Sequence, residues 1–363
     1  MTAIDDLYQA GTSTWLDDLS RERIATGNLA EVKDAKSIVG VTTNPAIFAA
    51  AMGSGNHYDE QLAELKQAGT TADAAVYAMS VKDVQDACDL FRDTYEATGG
   101  KDGRVSIEVD PRFAADEQKT IAQARELWQL VDRDNLMIKI PATDESLPAV
   151  TAALAEGISV NVTLIFSVER YQQVIDAYKD GIRKAAANGH DVSHIHSVAS
   201  FFVSRMDTEV DKRLEAIGTD EALALRGKAG IANARLAYAL FEREFGDVDV
   251  AKLPANANAQ RPLWASTGVK NPDYPATMYV TELAGPQTVN TMPEKTLDAV
   301  LRDGGVHGDT LTGTEAVSRE TFAALRGVGI DLDDVVAVLE REGVEKFVDA
   351  WQELLDSMTA RLA

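Results

Sequence analysis

Asn135-Leu-Met-Ile-Lys-Ile-Pro-Ala142 sets one lysine, Lys139, inside a short apolar run. A run of this length and composition reads as a buried strand. Lysine is seldom fully buried without a partner. Desolvation disfavours its charged form, and a buried lysine is thereby primed as a neutral amine that can attack a carbonyl. The bland alternative is a strand-end lysine that snorkels to solvent.

Seven further strand-like segments flank this one: 13–18, 37–43, 104–109, 159–165, 197–203, 262–266 and 287–291. Helical patterns separate most of them and are clearest near 79–97, 113–132, 168–187 and 226–245. In the third, Tyr171, Val174, Ile175, Tyr178 and Ile182 form an apolar stripe at helical spacing, with Ser167 as its N-cap. Strands alternating with helices imply parallel pairing. Eight such strands suggest a single closed (β/α)8 barrel of the α/β class; an open doubly wound sheet is the alternative. The expected domain is one unit over 1–363, with 314–363 as a C-terminal helical extension. There Val336, Leu339, Phe347, Trp351 and Leu355 supply apolar faces to pack on, or partly over, the barrel mouth. The stretch 49–78 reads as an elaborated connection after the second strand.

The strands alternate polar with apolar. Val160-Asn-Val-Thr-Leu164 does so, as do Arg104-Val-Ser-Ile-Glu-Val109 and Met137-Ile-Lys-Ile140. Successive strand side chains point to opposite faces. In a barrel, Glu108, Lys139, Asn161 and Thr163 would therefore share the lumen near the C-terminal strand ends, where barrel active sites lie. An antiparallel sheet with one wet face would alternate likewise, but the intervening helices argue against it.

Of 363 residues, 45% are hydrophobic and 26% charged, an ordinary globular balance. The net charge of −23 argues against general binding to nucleic acid or to acidic membranes. A small anionic ligand stays admissible, because a few local cations can dominate one pocket. The single cysteine, Cys88, excludes an internal disulfide and fits a reducing cytoplasm. It shares a helical face with Val84, Ala87, Phe91 and Tyr95, as a core residue would. Neither a basic-then-apolar leader nor a run of about 20 apolar residues is present. The expected setting is cytoplasmic. The sequence leaves the oligomeric state open, a homo-oligomer included.

Five segments then converge: Trp15-Leu-Asp17, Thr42-Thr-Asn-Pro45, Ser106-Ile-Glu-Val-Asp-Pro111, Met137-Ile-Lys-Ile-Pro-Ala142 and Asn161-Val-Thr-Leu-Ile-Phe-Ser167. With Ala199-Ser-Phe-Phe-Val-Ser-Arg-Met-Asp207 and Trp264-Ala-Ser-Thr-Gly-Val-Lys-Asn-Pro272, the chain closely resembles the transaldolase family from residue 11 to the last strand. Any one piece is a weak signal; seven in order on successive strands are specific. The resemblance implies a (β/α)8 barrel and class I aldolase chemistry with no metal or cofactor. A dihydroxyacetone unit would pass from sedoheptulose 7-phosphate or fructose 6-phosphate to an aldose phosphate, in the pentose phosphate pathway.

By that resemblance, Lys139 matches the Schiff-base lysine, whose iminium is the electron sink for breaking C3–C4. Glu108 matches the acid/base carboxylate that works through a bound water, and Thr163 the residue helping to hold that water. Asp17 matches the base that takes the C4 hydroxyl proton. Asn44 and Asn161 match neutral groups holding the dihydroxyacetone hydroxyls, which they can do without adding charge beside the iminium. Arg205 matches the phosphate-binding arginine, with Ser200 beside it. Beyond Ala265-Ser266 this chain departs from the arginine of the best-known members: Lys270 is the candidate second cation, and Arg261 the fallback. Related fructose-6-phosphate aldolases use a tyrosine hydroxyl and lack the glutamate. Phe202 and Glu108 here favour transfer over simple cleavage, and the intact set Asp17, Asn44, Glu108, Lys139 and Thr163 speaks against the other alternative, a catalytically silent sugar-phosphate-binding barrel.

Without the resemblance, each residue has a plainer reading. Asp17 could cap the following helix, with Asp18 exchanging roles with it. Glu108 could simply pair with Lys139, Asn44 could be a turn residue before Pro45, and Arg205 a surface arginine. Two other clusters are set aside. His190, His194 and His196 precede the sixth strand, on the N-terminal face, away from the reaction. Gly304-Gly-Val-His-Gly308 lacks the spacing of a dinucleotide fingerprint or a phosphate loop.

Overall fold

The protein's structure, a computed structural model, describes residues 2–247 and 251–363. Met1 and residues 248–250, within the expected domain span, lie outside the described residues. Eight strands close a barrel in sequence order. They are β1 (Thr12–Leu16), β2 (Gly40–Val41), β3 (Arg104–Glu108), β4 (Leu136–Pro141), β5 (Val160–Ile165), β6 (Ser197–Phe202), β7 (Arg261–Ala265) and β8 (Thr288–Met292). Every adjacent pair is parallel, and β1 pairs with β8 over five residues to complete the ring. The fold is the (β/α)8 barrel expected from strands alternating with helices; the doubly wound sheet is excluded.

Alternation sorts the strand residues into two apolar groups. Val105, Ile107, Ile138, Ile140, Val160 and Val162 face outward and pack under the helices. Trp15, Met137, Val198, Leu263 and Val289 fill the interior. The interior rests on a polar floor at the N-terminal end. There Asp102 accepts from Ser13 Oγ (2.8 Å), Trp15 Nε1 (3.0 Å) and Arg261 Nη2 (3.1 Å). β2 contributes Gly40, where a Cβ would come within 2.7 Å of the Trp15 ring. A glycine is what lets the indole lie across the barrel.

The helices follow their sequence signals, with local differences. Ser167 caps Val168–Ala187 by accepting from Arg170 N (3.1 Å), and the whole Tyr171–Ile182 stripe is buried. The pattern at 79–97 begins earlier, as Ala72–Leu90, and breaks at Phe91 before Arg92–Ala97. Near 113, a 3₁₀ turn at Pro111–Phe113 precedes the helix Glu117–Val131, which Asp116 caps. The connection after β2 is helical, with Pro45–Met52 and Asp59–Gln67 leading into Ala72–Leu90.

Two helices, Glu315–Gly327 and Leu332–Leu362, form the C-terminal region. At 1.5 Å per residue the second is about 46 Å long, enough to cross the barrel mouth. It is fastened along its length. Arg213 pairs with Asp334 (2.7 Å), Arg170 with Glu340 (3.3 Å), and Arg361 with Asp59 (2.8 Å). Midway, Gly343 lies against the Phe166 ring, with a Cβ position only 3.0 Å away. Trp351 packs on Tyr77 at 5.1 Å between ring centroids. Among the described residues, no helix is long and apolar enough to cross a membrane.

Candidate active site

The C-terminal strand ends bring the expected residues to one mouth. β3 and β4 pair Glu108 with Lys139 directly, and β4 with β5 pairs Lys139 with Asn161 and Pro141 with Thr163. The lumen parity read from the sequence therefore holds through Thr163. It then breaks: Leu164 takes a positive φ of 62° at a register shift, turning its side chain into the mouth cluster with Phe166.

Lys139 is 5% exposed. Its Nζ donates to the Thr43 carbonyl at 2.9 Å and stands 3.5 Å from Glu108 Oε2. The Phe347 ring centroid is 5.8 Å away. A lysine in this setting does not snorkel. Burial pushes the Glu108 carboxyl up to about 7; the nearby Lys139 opposes that rise and Asp17 reinforces it. An acid so placed can give and take a proton near neutrality. Glu108 Oε2 and Thr163 Oγ1 are buried and make no hydrogen bond within the protein, so both keep capacity for a bound hydroxyl or water.

Asp17 follows β1 and accepts from Thr42 Oγ1 at 2.7 Å, while Thr42 also meets Thr291 Oγ1 at 2.5 Å. Burial raises the Asp17 pKa against the pull of Lys139 and Thr42. Asp18 turns the other way and accepts from Arg23 Nε at 2.8 Å. Of the two neighbours, only Asp17 enters the lumen. Beneath Lys139 runs a polar row in which Ser200 Oγ donates to Asn161 Oδ1 (2.7 Å) and Asn161 Nδ2 donates to Ser106 Oγ (3.1 Å). Asn44 caps Pro45–Met52, its Oδ1 accepting from Ile47 N at 3.0 Å. Its plainer reading as a local structural residue is thus also true, and only Nδ2 is left to face the mouth.

A cavity of about 150 Å³ joins Asp17, Asn44, Lys139, Ser200, Arg205 and Lys270, with Ser266 and Phe202 in its wall. Glu108, Asn161 and Thr163 do not line it; Glu108 meets it through Lys139 and Asn161 through Ser200. Arg205 sits in the first turn of Ser204–Ile217, its guanidinium 5.0 Å from the Phe202 ring centroid and its buried Nη1 without a protein partner. That excludes the surface-arginine reading. Ser266 holds a φ of 53° and meets Ser204 Oγ at 2.8 Å. Lys270 is exposed at the rim.

Arg261, the fallback cation, is corrected by its position. It starts β7 and is spent on Ser13, Lys101 O and Asp102 at the opposite end of the barrel. His196 is likewise at the N-terminal end, buried at the start of β6, and His194 faces Asp191 at 3.5 Å. Among the described residues, no three His, Cys, Asp or Glu side chains converge to hold a metal ion.

Sequence reasoning did not single out Thr42 or Phe347. Thr42 lies inside the Thr-Thr-Asn-Pro stretch, and its place one residue past β2 could have marked it as lumenal. Phe347 carried only the signal of an apolar helix face, which does not say what that face meets.

The sequence profile of the family described as Transaldolase/Fructose-6-phosphate aldolase matches residues 14–358. A protein named Transaldolase from Mycolicibacterium smegmatis is 63% identical, over 98% of this chain and 96% of its own length. Proteins of the same name from Mycolicibacterium paratuberculosis and Mycobacterium leprae are 61% and 60% identical over the same shares.

Proposed function

The chain belongs to the transaldolase/fructose-6-phosphate aldolase family, and from that premise we propose that it moves a dihydroxyacetone unit between sugar phosphates through a Schiff base on Lys139. The donor is sedoheptulose 7-phosphate or fructose 6-phosphate, and the acceptor is glyceraldehyde 3-phosphate or erythrose 4-phosphate. The observation that carries this reading is the buried Lys139–Glu108 pair, 3.5 Å apart, at the end of adjacent strands.

The steps follow from the neighbours of Lys139. Its amine adds to the donor ketone, and Glu108 supplies and recovers protons as the carbinolamine loses water, with Thr163 holding the intervening water. The iminium then draws the C3–C4 bonding electrons as Asp17 takes the C4 hydroxyl proton. The departing aldose phosphate leaves an enamine of dihydroxyacetone on Lys139. Asn44 Nδ2 and the Asn161–Ser200 pair hold its hydroxyls without placing charge beside the nitrogen. Arg205 grips the phosphate, and Lys270 at the rim adds a second cation. The acceptor aldehyde is attacked by the enamine, the steps reverse, and Lys139 is freed. Lysine itself is the electrophile source, so no cofactor is required.

A simple aldolase that releases dihydroxyacetone to water is the competing reading. Phe202, in the cavity wall, has no hydroxyl to act as a proton relay, which supports transfer. We further propose one domain over 1–363 with a helical extension at 314–363, and a cytoplasmic setting, supported by a lone buried Cys88.

Borohydride trapping with fructose 6-phosphate, followed by peptide mass mapping, tests the proposal. A dihydroxyacetone-sized adduct on the Lys139 peptide is expected. An adduct on another lysine, or none, would overturn it. Turnover of fructose 6-phosphate with and without erythrose 4-phosphate then separates transfer from cleavage.

A further inference from the structure

The enamine on Lys139 has two possible fates. Attack on an aldehyde completes transfer. Alternatively, its nucleophilic carbon takes a proton and the C=N bond re-forms; water adds to C2, the C–N bond breaks, and the proton goes to nitrogen. That second route consumes one water and yields free dihydroxyacetone and Lys139 amine. Glu108 and Thr163 already hold one water for the iminium steps, so what decides between them is whether further, bulk water reaches and protonates the enamine carbon while no acceptor is present.

The barrel strands do not roof Lys139. The roof comes from the long helix Leu332–Leu362, which places one side chain, Phe347, over the amine at 5.8 Å. Phe347 is only 8% exposed and lines the same cavity as Asp17, Arg205 and Lys139. It completes an aromatic row: Phe166 to Phe202 is 5.2 Å and Phe202 to Phe347 is 6.5 Å between ring centroids. One turn earlier, Gly343 lets the helix axis come down onto Phe166 and Leu164. Any larger residue there would lift the roof. The phenyl ring has no proton to give and no lone pair to orient water, and it stands where solvent would otherwise reach Lys139.

We propose that Phe347 is the specificity-determining residue that keeps bulk water, beyond the one held by Glu108 and Thr163, from the bound dihydroxyacetone unit and so commits the enzyme to transfer over hydrolysis. This rests on the Schiff-base reading given above. Phe202 forms the inner wall of the cavity and Phe347 its outer cover, so the two act in series.

The test compares wild type with F347A and F347V in the presence of fructose 6-phosphate, with erythrose 4-phosphate held well below saturation so that the enamine waits without an acceptor. It reads free dihydroxyacetone against sedoheptulose 7-phosphate formed. F347A is expected to raise that ratio roughly tenfold or more by admitting water, with F347V intermediate and the borohydride adduct on Lys139 retained. An unchanged ratio in a folded variant overturns the proposal, whatever happens to overall rate, because loss of packing alone lowers both products together. Should F347A fail to fold by circular dichroism, F347V carries the same prediction. Absence of the adduct in wild type would instead defeat the Schiff-base reading.

Discussion

Glu108 Oε2 lies 3.5 Å from Lys139 Nζ, at the outer edge of hydrogen-bond reach, while Nζ donates to the Thr43 carbonyl at 2.9 Å. The pair is held slightly open rather than closed as a salt bridge, an arrangement the proposed proton transfer would use. Burial outweighs the attraction, and the carboxyl titrates at about 7.

Glu108→Gln is expected to slow turnover by roughly 10²–10⁴ and to remove the inflection near pH 7 from the rate profile, with sugar-phosphate binding nearly intact. Stability should move oppositely. The folded pKa of about 7 exceeds the ordinary glutamate value of 4.5, so the folded state holds this proton more tightly and loses stability as pH rises from 4.5 through 7. The Gln variant lacks that slope. Its melting temperature should gain on wild type across this window and run parallel above it; parallel curves throughout would show that Glu108 is not buried at a cost.

Asp17→Asn and Asp18→Asn should separate cleanly although the residues are adjacent. Asp17→Asn is expected to cut carbon–carbon cleavage by roughly 10²–10⁴ while a borohydride adduct still forms on Lys139. Asp18→Asn loses only a partly exposed pair with Arg23, costing at most about 1 kcal/mol, and should keep wild-type turnover. Equal losses from both would undo the assignment.

Arg205→Ala would remove the proposed charge-assisted grip on phosphate, worth about 1.5–3 kcal/mol, so KM for fructose 6-phosphate should rise on the order of 10- to 100-fold. Lys270→Ala should have a smaller effect that shrinks further with salt, because Lys270 is exposed at the rim. Steady-state kinetics at two ionic strengths would detect a reversed ranking.

Gly40→Ala should lower stability by about 1–3 kcal/mol, since the new Cβ would stand 2.7 Å from the Trp15 ring. The displaced indole would also strain its bond to Asp102. Urea unfolding is the measurement, and a neutral result would mean the barrel interior yields more easily than its packing implies.

How much of this could be read from the chain depends on the range of the interaction. The strands were legible because period-two alternation is local: Glu108, Lys139 and Asn161 declare their shared face within a few residues. Asp17 rather than Asp18 followed from the same rule together with the family resemblance. Thr163 was placed correctly, but the bend at Leu164 was not foreseen, because a leucine at positive φ has no sequence signature. Arg205 could have been a surface residue on local evidence, and only its burial beside Phe202 removes that reading. Arg261, the fallback to Lys270 as a phosphate ligand, is ruled out by the strand's direction, which puts it at the floor. Phe347 was the least legible. Its meeting with Lys139 depends on how a helix more than 200 residues away lies across the mouth, which periodicity cannot reveal.

Thr42 meets Asp17 on one side and Thr291 on the other, and the Asp17 amide donates to the Met292 carbonyl at 2.9 Å. The proposed base therefore sits at the seam where the first strand joins the last. Pairings of such sequence separation form late and slowly. An incomplete ring could display Lys139 and Glu108, neighbours on β3 and β4, yet would lack the seam that orients Asp17. Opening the ring would also wet Lys139 and Glu108, so the proposed chemistry depends on closure of the sheet twice over, once for the burial that primes the amine and once for the seam that orients Asp17.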